Sequence, residues 1–151
     1  MIHPQFLEEV FADSYSAIQH HTKEIRHTES VWQPPFGGNS INWIMGHLVV
    51  SRCNFLMLLD VPSIWSMDQC LRFIPGSSPV TEEVDSVPFD SLISAFDQTQ
   101  EQLMSALEHV SDEVLGQVKG ERTVAESLVY YQSHEAEHTG QLELLCRLAR
   151  F

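Results

Sequence analysis

Thr123-Val124-Ala125-Glu126 opens the stretch TVAESLVYYQSHEAEHTGQLELL, residues 123–145. These four residues read as a capping box: the Thr123 hydroxyl takes an orphan backbone N–H at a helix start, and Glu126 reaches back. Leu128, Tyr131, Leu142 and Leu145 then recur at the steps of one helical face. The spacing predicts a helix running almost to Phe151. His134 and His138 lie four residues apart on it, which sets both imidazoles on one side, about one turn from each other. They fall within the apolar stripe. Two imidazoles facing a core need partners, and one metal ion would serve both. Surface histidines or hydrogen-bonded core histidines are the competing reading, because the chain has 8 His in 151 residues.

The segment His134-Glu135-Ala136-Glu137-His138 also matches H-E-x-x-H, the zincin pattern in which the Glu is a general base. Its surroundings argue against a protease. A metzincin would continue with Gly and a third His where Gln141 and Leu144 stand. The residues after His138 belong to the same helix, and no sheet upstream offers an edge to a peptide. A third ligand must come from earlier in the chain. His47 is the candidate, in Asn42-Trp43-Ile44-Met45-Gly46-His47-Leu48, with Gly46 leaving room for another element to come close. Alone, His47 would read as a core or boundary histidine; the pair at 134 and 138 gives it weight.

Working outward, three more helices are expected. Phe6, Leu7, Val10, Phe11, Tyr15, Ile18 and Ile25 mark a first helix over about residues 4–27, with Pro4 in its first turn. It stops before Gln33-Pro34-Pro35-Phe36-Gly37-Gly38. Ser40 caps a second helix carrying Ile41, Ile44, Met45, Leu48, Phe55, Leu56 and Leu59, closed by Pro62. Asp90 caps a third, with Leu92, Ile93, Phe96, Leu103, Met104, Leu107 and Val110 as its stripe, and Gly116 and Gly120 bracket its exit. No strand-like alternation competes. Residues 60–88, punctuated by Pro62, Pro75, Gly76, Pro79 and Pro88, read as a long crossover loop between the second and third helices, with a helical turn near 65–71. The expected architecture is all-α, a four-helix bundle forming a single domain over residues 1–151.

Composition narrows the function. With 21 Asp plus Glu against 8 Lys plus Arg, the formal charge is −13. A nucleic-acid binder needs a basic footprint and an anionic membrane surface repels acid, so neither partner is expected. Cys53, Cys70 and Cys146 are odd in number and widely spaced, which suits free thiols in a reducing cytosol better than a disulfide framework. Met1-Ile2-His3-Pro4 has no signal-peptide pattern. The apolar run near residues 55–59 is far short of the roughly 20 residues of a membrane span. A cytoplasmic location is expected.

Ser40-Ile41-x-Trp43-Ile44-x-Gly46-His47-Leu48, together with Thr123-Val124-x-Glu126-Ser127-Leu128 and His134-x-x-x-His138-x-Gly140-Gln141-Leu142, resembles the DinB/YfiT-like superfamily. The resemblance runs through the whole chain, including helix order and the long middle loop. It implies an up-down-down-up bundle, a three-His divalent metal site at His47, His134 and His138, and a homodimer. In some members it also implies thiol transfer using bacillithiol or mycothiol, or isomerisation of maleylpyruvate.

Three protein ligands leave coordination positions open, the arrangement of a catalytic rather than a structural site. A water there would be acidified to a pKa of about 7 with zinc, and a thiol would be deprotonated. Zinc or nickel is expected first, with iron or manganese also open. Glu135 is the candidate base beside His134; the alternative is a solvated helix residue. His21 reads as a boundary histidine, and His3, His20, His27 and His109 as surface residues. Trp43 and Tyr131 read as packing. Lys119 and Arg122 sit near a bundle end, and no clear carboxylate-binding patch for a low-molecular-weight thiol emerges. The function expected is a metal-dependent enzyme acting on a small molecule by thiol transfer or hydrolysis. The rivals are a non-catalytic metal-binding or dimeric interaction bundle, and a structural bundle without metal.

Overall fold

The computed structural model describes residues 2–150. Met1, which opens the N-terminal segment read above, and Phe151, almost to which the last helix is expected to run, lie outside the described residues. Among the described residues seven α-helices follow in order: α1 (Pro4–Thr22), α2 (His27–Ser30), α3 (Ile41–Leu58), α4 (Met67–Leu71), α5 (Phe89–His109), α6 (Asp112–Gly116) and α7 (Val124–Leu148). Helix accounts for 67% of the structure. Among the described residues the only sheet pairs β1 (Val118–Lys119) with β2 (Arg122–Thr123), so the class is all-α.

Local chemistry explains most helix ends. At α7 the Thr123 N–H donates to Glu126 Oε2 at 2.8 Å, and the Glu126 N–H donates to Thr123 Oγ1 at 3.2 Å, completing the expected box. The Ser40 hydroxyl accepts from the Trp43 N–H at 3.3 Å and starts α3.

Four expectations need correction. The first helix ends at Thr22, not near 27, because Glu29 Oε2 accepts the Arg26 backbone N–H at 2.7 Å and starts a separate turn, α2. Asp90 does not cap α5: Pro88 is the N-cap, and Asp90 lies inside the first turn. The Phe89 N–H instead donates to His27 Nδ1 at 3.3 Å, so His27 is a structural partner rather than a surface residue. α5 is followed by the short helix α6 and then, where no strand was expected, by a hairpin turned at Gly120 with φ +76°.

The weakly patterned segment 60–88 is built over the helices rather than looped away from them. Ser66 and Gln69 cap α4 reciprocally, and Phe73 and Val80 are buried. Helices α1 and α3 each pack against both α5 and α7. α3 buries 15 of its 18 residues, the signature of a helix enclosed all round. A buried polar side chain on it must therefore find its partner inside the protein.

The buried apolar residues form two clusters. One contains Ile18, Leu48, Phe96 and Leu142; the other contains Phe11, Phe55, Leu103 and Leu128. Between these positions along α3, α5 and α7 stand Arg52, Gln100 and Glu135, all buried. Arg52 Nε and Nη2 donate to the two carboxylate oxygens of Glu135, each at 2.8 Å, and Nη1 donates to Gln100 Oε1 at 2.7 Å. The guanidinium carbon lies 4.0 Å from the Phe96 ring centroid. One polar layer thus separates two apolar halves.

Candidate metal centre

α3 carries His47, and α7 carries His134 and His138 one turn apart. One ring nitrogen from each lies within 4.8 Å of the others. His134 Nε2 is 3.2 Å from His47 Nε2 and 3.2 Å from His138 Nε2. The three residues singled out in the sequence are therefore brought together. His47 is 5% exposed, while the other two are half-buried, so the cluster lies at the edge of the core.

The outward nitrogens decide what the inward ones offer. His47 Nδ1 lies 2.7 Å from the Phe73 carbonyl. A carbonyl only accepts, so Nδ1 carries the proton and Nε2 keeps its lone pair. His138 Nδ1 donates to Gln141 Oε1 at 2.8 Å, which leaves Nε2 of that ring unprotonated as well. His134 can supply at most one Nε2–H to two neighbours, so hydrogen bonding alone does not satisfy the cluster. Among the described residues its Nδ1 is buried without a partner. Three convergent imidazole nitrogens with at most one proton among them fit a cation. Burial pushes all three rings below the ordinary histidine pKa, which keeps them neutral and able to act as ligands.

The surroundings hold this geometry. The Trp43 ring stacks on His47 at 4.8 Å between centroids and 15° between planes, and its Nε1–H donates to Ser77 Oγ at 2.9 Å. Gly46 has the role read from the sequence: a Cβ there would overlap the Phe73 ring. Phe73 and Ser77 thus tie segment 60–88 to the site, and the sequence carries no local signal for either. Gln141 did have one, its place three residues after His138 on the same face. Arg52 did too, as a lone charge in the run Leu48-Val49-Val50-Ser51-Arg52-Cys53.

Glu135 is placed differently from the histidines. It is 1% exposed, so it is not a solvated residue, and both carboxylate oxygens are engaged by Arg52. His21 lies 4.0 Å from Glu143 Oε2, outside the cluster. Lys119 is held by the Leu58 carbonyl and Asp60, and Tyr131 packs on Phe55. The three cysteines are free, with Cys53 and Cys146 buried; burial pushes the Cys146 thiol up to about 11. Among the described residues no helix is long and apolar enough to cross a membrane.

No curated protein matches the chain. The sequence pattern of the DinB superfamily matches residues 11–142, a span that takes in His47, His134, His138, the polar layer and Gln141. With that match running from α1 through most of α7, the chain belongs to the DinB superfamily.

Proposed function

We propose that this protein holds one divalent metal ion with His47, His134 and His138 and acts as a metal-dependent enzyme on a small molecule, by thiol transfer or hydrolysis. The observation that carries the reading is the convergence of three neutral imidazoles whose lone pairs have no sufficient partners. The Phe73 carbonyl and Gln141 hold protons on the far nitrogens of two rings, as outer partners of metal-binding histidines do. An all-imidazole donor set suits zinc or nickel, and iron as well, better than manganese, which prefers oxygen ligands. With no protein carboxylate in the set, a bound ion keeps its full charge to lower the pKa of a thiol or water in an open position.

Glu135 could serve as the base only by leaving Arg52. Breaking a buried pair of this kind costs about 3–5 kcal/mol, so we assign Glu135 to the scaffold. A low-molecular-weight thiol is the cosubstrate the family resemblance favours.

An up-down-down-up bundle is part of the proposal. It is supported by the order in which the long helices pass the two apolar clusters. α1 runs from Phe11 to Ile18 and α7 from Leu128 to Leu142, in one sense; α3 from Leu48 to Phe55 and α5 from Phe96 to Leu103 run in the other. We also propose a homodimer in the cytoplasm. Phe36, 78% exposed, and Leu144, 55% exposed, line one cleft of about 320 Å³ and offer it an apolar surface. Sedimentation at micromolar concentration showing only a 17.2 kDa species would overturn the dimer.

Elemental analysis of purified protein tests the metal. One ion per chain is expected, abolished in His138→Ala and unchanged in His109→Ala. Stoichiometric metal in His138→Ala would refute the site. Adding a small thiol to the cobalt-substituted protein should change its visible spectrum. No change would favour a non-catalytic metal-binding bundle.

A further inference from the structure

The Arg52–Gln100–Glu135 layer occupies a place where an apolar packing would hold the helices together as well. Replacing a buried ion pair with well-packed apolar side chains is often neutral or stabilising, so stability alone does not account for it. Its geometry supplies something apolar packing lacks. Leucines facing leucines tolerate a helix sliding or turning by a residue. A guanidinium fork seated on both oxygens of a carboxylate does not, because the two N–H···O bonds fix direction as well as distance. A single buried polar residue sets register in coiled coils in the same way.

Which helices the fork joins is informative. Arg52 stands on α3 five residues after His47, and Glu135 stands on α7 between His134 and His138. The two ends of the ion pair are thus on the same two helices as the three imidazoles. One residue of rotation in an α-helix is about 100°, enough to swing His134 and His138 out of reach of His47. The third bond of Arg52, to Gln100, and the Phe96 ring under the guanidinium tie the fork to α5. Tyr15 on α1 stacks on the Phe96 ring at 5.8 Å between centroids and donates to Asp97 at 3.0 Å, so α1 is linked to the same layer.

We propose that Arg52 and Glu135 are positioning residues. Their fork sets the rotation and height of α7 against α3, and thereby brings His134 and His138 to His47 before any metal arrives. The inference rests on the metal-site reading and deepens it, and the ring contacts without metal let the two fail separately.

The test is made on the full chain. A triple variant, Arg52→Met, Gln100→Leu, Glu135→Leu, replaces the layer with apolar side chains of similar volume. Arg52→Lys keeps the charge and loses the fork. Two properties are read besides the Tm of metal-free protein. One is the nuclear Overhauser contacts between the His47 and His134 rings without metal. The other is Zn²⁺ affinity, by competition with a chelator. We expect the triple variant to fold with a Tm no lower than wild type, to lose the ring contacts, and to bind Zn²⁺ about 10–100-fold more weakly, the usual effect of removing support from metal ligands. Arg52→Lys should also lose the contacts, and it decides the matter if the triple variant does not fold. Ring contacts and Zn²⁺ affinity as in wild type, in either folded variant, would overturn the proposal. So would a fall in Tm with the ring contacts intact, which marks the layer as stabilising only. If the wild-type protein takes up no Zn²⁺, the metal reading fails, and the ring contacts alone decide whether the fork positions the histidines.

Discussion

Replacing Gly46 with alanine sets two effects of opposite sign against each other. Within a helix the change is favourable by about 0.8–1 kcal/mol, because glycine loses more backbone freedom on folding. At this position, however, the new methyl would overlap three atoms of the Phe73 ring, including the ring carbon nearest the backbone. That carbon is not the loose end of a side chain, and Phe73 is fully buried, so the ring must move together with its backbone. Overpacking of this kind costs about 1–3 kcal/mol. The net effect is a loss of between roughly 0 and 2 kcal/mol. Gly140, in α7, is the control: a Cβ there meets nothing within 4 Å, so Gly140→Ala should gain about 1 kcal/mol and raise Tm by about 2–4 °C. The separation between the two variants isolates the clash, about 2–12 °C for a chain of this size. Calorimetry of metal-free protein measures it. A second readout follows from the Phe73 carbonyl, which holds the His47 ring: Gly46→Ala should weaken Zn²⁺ binding, and Gly140→Ala should not. Equal stabilisation by both alanines would show that Phe73 does not sit on Gly46, and the account of how segment 60–88 orients His47 would fall.

The three site histidines make the metal-free fold sensitive to acid. Burial holds each ring below its ordinary pKa of 6.5. A histidine with a depressed folded-state pKa stabilises fully above the unfolded value, and that contribution is lost as pH falls from there through the lowered value. The Tm of metal-free protein should therefore fall as pH drops below the ordinary histidine value of 6.5, and a flat profile would contradict the burial of these rings. Gln141→Leu removes the acceptor of the His138 Nδ1–H and should weaken metal binding about 10–100-fold; chelator competition giving wild-type affinity would remove Gln141 from the site. Glu135→Gln leaves the Arg52 guanidinium buried beside a neutral amide, and urea unfolding should register a loss approaching about 3–5 kcal/mol. Unchanged stability would mean that the Arg52–Glu135 pair is not formed in solution.

The histidine pair was legible in the sequence because helix periodicity alone aligns residues four apart. So were the Thr123–Glu126 box and the Ser40 cap, whose partners lie within one turn. Gly46 could be read as room for a neighbour, but not as room for Phe73. Glu135 shows where the reading ran out: its place beside His134 suggested a base, while only the packing of α3 against α7 reveals Arg52 on both its oxygens. His27 shows the same limit, since its partner on α5 lies 62 residues away.

By itself, then, the sequence determined what depends on neighbours along the chain: the four long helical segments, the Ser40 and Thr123 caps, and two of the three clustered histidines on a common face. Tertiary structure alone decided what depends on contacts across the chain. His47 meets His134 across 87 residues, Arg52 grips Glu135 across 83, and the Phe73 carbonyl accepts from the His47 Nδ1–H across 26. The reason is physical. A helix fixes its own angles and rise through local hydrogen bonds, but how far it turns and slides against another helix is set by side chains that meet only after both have packed.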